Sequence, residues 1–247
     1  MSVFEKGTCW TLFEDMEHEL IHFFEYSPYT DDNSNVVSPK LLALIMQVCE
    51  YIEATFREMT KFEGFKNIRE FKKMQSFEIK GYKKYNLKLA KEAFESIYHL
   101  SSNGKGEIIA KLEIGEKYLV PFSSLAQDKD MKPDWWQAPS NKTKNWLKSL
   151  EKANADNALQ ALAGAFLLNV VHYPSIKRLW LIGRLETVRK IGDDLKGDYL
   201  PEHIFDKTLA ESALELEPFK YSYRVETALF KFAKIDGTLF VNHSQSD

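Results

Sequence analysis

Cysteine is scarce in this chain of 247 residues: Cys9 and Cys49 are the two present. Two thiols make no disulfide framework, which excludes the small, bridge-stapled secreted scaffolds. No P-loop, Rossmann glycine string or paired Cys/His zinc spacing occurs, and Gly104-Lys105-Gly106 reads only as a turn. Long apolar runs are missing too. The longest, from Ala158 to Val171, contains Gln160 and Asn169 and falls short of the roughly 18–20 uninterrupted apolar residues of a membrane span. It predicts a core helix, and no membrane partner is expected. Glu5 and Lys6 interrupt the first residues, so a secretory signal is not expected and a cytoplasmic location is.

What is present suits a folded domain. Hydrophobic residues make up 44% and aromatics 13% of the chain, enough for a bulky core and against disorder. The net charge of −3 conceals an asymmetry, with residues 1–60 at −8 and residues 61–91 at +7. Such a pair of segments binds phosphates or neutralises itself inside the domain. The overall pI is not basic, which favours internal pairing.

Apolar spacing predicts an amphipathic helix over about 10–26, with Trp10, Phe13, Met16, Leu20 and Phe24 on one side. Ser38-Pro39 reads as N-cap and first helical position of a second helix reaching about Met59. Shorter basic helices are expected at 64–76 and 87–101, and a small β-hairpin over about 106–122 centred on Gly115-Glu116. Trp135-Trp136 precedes a polar helix running through about Lys152. The apolar helix of about 155–172 follows; apolar on every side, it should lie at the centre of the fold. Beyond Pro174, helices are expected from Ser175 to about Lys196 and from Pro201 to about Leu216. A C-terminal hairpin of Leu229–Ile235 and Thr238–Val241 should turn at Asp236-Gly237. Residues 1–173 thus read as a helical bundle carrying a β insertion, and 174–247 as appended helices and a hairpin.

Two constellations bear on chemistry. His18-Glu19-Leu20-Ile21-His22 is an H-E-x-x-H string on a predicted helix. One turn apart, two imidazoles can share a zinc ion while the glutamate acts as general base on metal-bound water. This supports a zinc-dependent hydrolase using His18, His22 and Glu19, with Glu50 or Glu53 as the nearest third ligand. The same string also reads as the solvated face of an amphipathic helix, together with Glu14, Asp15 and Glu17. That reading is preferred, because Glu17 charges the position before the first histidine and too few residues precede the string to build a substrate-binding sheet.

The second constellation is Pro133-Asp134-Trp135-Trp136, then Ser140-Asn141-Lys142-Thr143-Lys144-Asn145, then Ala153-Asn154-Ala155-Asp156-Asn157-Ala158-Leu159-Gln160-Ala161-Leu162-Ala163. Upstream stand Asn35-Val36-Val37-Ser38-Pro39-Lys40 and a helix ending Cys49-Glu50-Tyr51-Ile52-Glu53. In this order of motifs, over about residues 10–172, the chain resembles the prokaryotic HEPN-like family of helical bundles. The family string is tyrosine–asparagine–lysine–any–lysine–histidine. The resemblance implies a mainly α, HEPN-like bundle, a homodimer, and a role linked to RNA or antiviral defence. By resemblance, Asn141, Lys142, Lys144 and Asn145 would bind nucleic acid. Ser140 stands at the tyrosine position, Asn145 at the histidine position, and Leu147 where an arginine is expected. An amide exchanges no proton near neutrality, whereas metal-independent RNA cleavage needs a group to take the 2′-hydroxyl proton. The implied function is therefore accessory rather than that of an endoribonuclease, with no cofactor. A non-catalytic protein-interaction scaffold is the third reading.

Overall fold

The computed structural model describes residues 8–59, 94–95, 98–127, 133–140, 146–172, 175–176, 178–179, 182–191, 194–198 and 223–234. Within them the chain is mainly helical, with one antiparallel sheet. Helix α1 is Thr8–Tyr26 and α2 is Pro39–Met59. As the Ser-Pro pair predicts, α2 begins at Pro39, and the Lys40 amide donates to the Ser38 hydroxyl at 3.2 Å. Short helices α3 (Ser124–Gln127), α4 (Asp134–Ser140) and α5 (Trp146–Glu151) lead to α6, Ala155–Val171.

Helix α6 starts where the Asn154 side chain accepts from the Asn157 amide at 2.8 Å. It is buried on nearly every side: Ala158, Leu159, Ala161, Leu162, Ala163, Ala165, Phe166, Leu167, Leu168, Val170 and Val171 have no exposed surface. Around it pack α1, α2, α4 and the sheet. Its small residues admit large neighbours. A Cβ at Gly164 would stand 3.3 Å from the Phe122 ring and 3.4 Å from that of Trp135, so both aromatics lie directly on the helix. Phe166 stacks on Phe13 of α1 at 5.7 Å. On another side it stacks on Phe230 of the sheet at 5.3 Å. Each fully buried Leu, Val or Phe contributes about 1.5–3 kcal/mol, which makes α6 the main source of apolar stabilisation.

The sheet runs β2-β1-β6-β5-β3-β4, every pair antiparallel. Its strands are β1 Glu107–Leu112, β2 Gly115–Leu119, β3 Leu185–Ile191, β4 Asp194–Asp198, β5 Tyr223–Glu226 and β6 Phe230–Lys234. The β1–β2 hairpin forms where expected, with Gly115 at a φ of 119° that suits glycine. Its neighbour is β6, with Ile108 opposite Phe232 and Ala110 opposite Phe230. Strands from both sides of residue 173 thus share one sheet. Gly106 permits this junction, since a Cβ there would lie 2.6 Å from the Phe232 ring. Ile108, Ala110, Leu119, Tyr223, Val225, Phe230 and Phe232 are buried. Alternate residues of β1, β5 and β6, Ile109, Lys111, Arg224, Glu226 and Lys231, are partly or fully exposed. That alternation is the mark of a sheet covered on one face.

One expectation beyond residue 174 is corrected. The helix predicted from Ser175 to about Lys196 gives way at Leu185 to β3 and β4. Leu185-Glu186-Thr187-Val188-Arg189-Lys190-Ile191 carries β-branched residues, and sheet pairing prevails over helical spacing here. A hairpin, β5–β6, turns at Thr227–Leu229, and β6 lies within the predicted strand Leu229–Ile235. A strand has two edges, and both edges of β6 are taken, by β1 and β5. Asp236-Gly237, the helix expected at 64–76 and that from Pro201 to Leu216 lie outside the described residues. Among the described residues, no helix is long and apolar enough to cross a membrane.

Candidate functional site

The first constellation has defined surroundings. On α1, His18, Glu19 and His22 are exposed. The His22 ring Nδ1 lies 2.8 Å from Glu25 Oε2, and the ring stands nearly perpendicular to that of Tyr26, with centroids 5.0 Å apart. Glu50 is exposed on α2, and Glu53 faces Arg57 at 3.8 Å. Among the described residues no group of three or more His, Cys, Asp or Glu side chains is gathered for a metal ion. His18, Glu19 and His22 therefore share a hydrated helix face, and neither glutamate of α2 is assembled with them into a ligand set.

Glu17 departs from that face. It is buried, although the helical pattern groups it with its solvated neighbours. Its Oε1 accepts from the Leu229 amide at 2.9 Å and from the Thr227 hydroxyl, so α1 holds the β5–β6 turn. Burial raises the Glu17 carboxyl above its ordinary range, and the bonds from Thr227 and Leu229 oppose that rise. The turn is gripped from the other side by Lys111 of β1. Its amide donates to the Leu229 carbonyl at 2.7 Å, and its ammonium contacts Glu226 at 2.9 Å and the Thr227 carbonyl.

Asn141, Lys142, Lys144 and Asn145 lie outside the described residues. The helices that bracket them do not. The Trp135 and Trp136 rings stack at 5.1 Å, and Trp136 lies nearly parallel to Phe56 of α2 at 6.2 Å. Trp135 donates its indole N–H to the Pro121 carbonyl at 2.9 Å. Both tryptophans are buried, so they close the core and are not a platform for bases. Helix α4 ends at Ser140 and α5 begins at Trp146.

A third grouping joins residues far apart in sequence. Tyr29 follows α1, Lys117 is on β2 and Asp156 is in the first turn of α6. The Lys117 ammonium lies 2.6 Å from Asp156 Oδ1. Tyr29 donates its hydroxyl to the same oxygen at 2.8 Å and contacts the ammonium. The ammonium also sits 4.7 Å from the Tyr29 ring centroid. Burial lowers the Lys117 ammonium, but the bonds to Asp156 and Tyr29 outweigh it and hold the group above its ordinary value. Burial raises the Tyr29 phenol. With Lys117 and Asp156 each about one-third exposed, this grouping fastens β2 to the start of α6. Every titratable group in it already has a partner.

Among the described residues, Cys9, Cys49 and His172 are buried in the core. Burial, with the Glu58 charge, pushes the Cys9 thiol up to about 11, so it stays protonated and a poor nucleophile at neutral pH. Burial pulls His172 down to about 3, leaving a neutral ring there. Tyr51 donates to the Cys9 carbonyl at 3.1 Å and meets the Asn169 amide. Asn169, one of the two polar residues within the apolar helix, is thereby partnered. Sequence spacing gave no signal for the Tyr29–Lys117–Asp156 grouping, because its members are brought together only by tertiary folding. Comparison with known protein families, characterised proteins and solved structures finds no match for this chain.

Proposed function

We propose that this chain is a HEPN-like accessory protein that binds RNA through Asn141, Lys142, Lys144 and Asn145 and lacks nuclease activity, acting as a homodimer in RNA metabolism or antiviral defence. The supporting observation is the order of parts around the polar string. A buried tryptophan pair anchors α4, the string follows, and α5 leads into the apolar α6. Two lysines within three residues supply charge for phosphates, and the flanking asparagines supply amide donors and acceptors. Asn145 stands where the proton-transferring histidine of the family string would be, and an amide cannot do that work.

The test is the retention of labelled single-stranded RNA, followed by fluorescence anisotropy between 50 and 200 mM salt (~ the range over which phosphate contacts weaken steeply). Affinity should fall as salt rises. Replacing both Lys142 and Lys144 by Ala should weaken binding and flatten the dependence of log affinity on log salt by about 1.4, at roughly 0.7 per single-strand phosphate contact. No binding at the low-salt end would remove the proposal and leave the protein-interaction scaffold as the better reading.

A further inference from the structure

We draw no further inference here: the strongest candidate, the outer edge of β2 where Ile114, Tyr118 and Val120 stand exposed at the end of the sheet, carries none because nothing in the structure shows what covers it.

Discussion

The helical body and the sheet are held by different kinds of interaction. Helices α1, α2 and α6 meet through apolar and aromatic surfaces whose residues recur at helical spacing. The sheet shares that core through Phe230 and Phe232, but its position is also set by polar attachments at named points. Glu17 holds the β5–β6 turn, Lys117 ties β2 to Asp156, and the Tyr223 hydroxyl donates to the Val170 carbonyl of α6. Apolar packing is spread over many side chains and tolerates the loss of any one polar group. The polar attachments are few, directional and separated by long stretches of chain.

The largest effect should come from the point where both regions share packing. Phe166→Ala removes a fully buried ring stacked on Phe13 and Phe230 and should cost about 3–5 kcal/mol in denaturant unfolding. A cost below about 1 kcal/mol would mean that α6 is not the centre of the fold.

Glu17→Ala comes next. It leaves the Leu229 amide and the Thr227 hydroxyl without their carboxylate, at about 1–3 kcal/mol. Glu17→Gln probes the charge separately. Because the folded carboxyl is raised above its unfolded value of 4.5, the folded state binds its proton more tightly. The stability contributed by that proton is present at low pH and is lost as pH rises through the folded value. The wild type should therefore gain on Glu17→Gln as the pH is lowered from neutrality toward 4.5. Melting temperatures of both proteins across that range measure the difference, and a wild type that loses stability relative to Glu17→Gln on acidification contradicts the assignment.

Lys117→Met should do less. The Lys117–Asp156 pair is about one-third exposed on each side, and such pairs contribute about 0–1 kcal/mol. Its contribution should shrink in high salt, whereas that of Phe166 should not. Comparing the two variants in low and high salt separates the polar fastening from the packed core. The smallest effect should come from α1's hydrated face. His22→Ala should leave thermal stability almost unchanged. Protein purified without a metal-affinity tag should carry no stoichiometric zinc by elemental analysis. Stoichiometric zinc lost in His22→Ala would restore the hydrolase reading.

This division also governs what could be read in the sequence. The 3.6-residue spacing of Phe13, Met16 and Leu20, the Ser38-Pro39 start and the all-round apolar Ala158–Val171 are local signals, and the helices they predict are present. So is the hairpin around Gly115. Strand β3 carried mixed signals in one short window, and pairing with β5 decides between them only in three dimensions. Glu17 shows the same limit within one helix. Its position suits the polar face until the β5–β6 turn, more than two hundred residues onward, closes over it. For the candidate site, the apolar helix was legible as core. The Tyr29–Lys117–Asp156 grouping was not, because nothing in the spacing of those three residues links them.

The central claim, an RNA-binding chain with an amide at the proton-transfer position, is tested most directly by incubating end-labelled RNA with the pure protein and resolving the products by length. The account predicts RNA that is bound at low salt and recovered at full length. Shortened products whose yield collapses in Asn141→Ala or Lys144→Ala would contradict it.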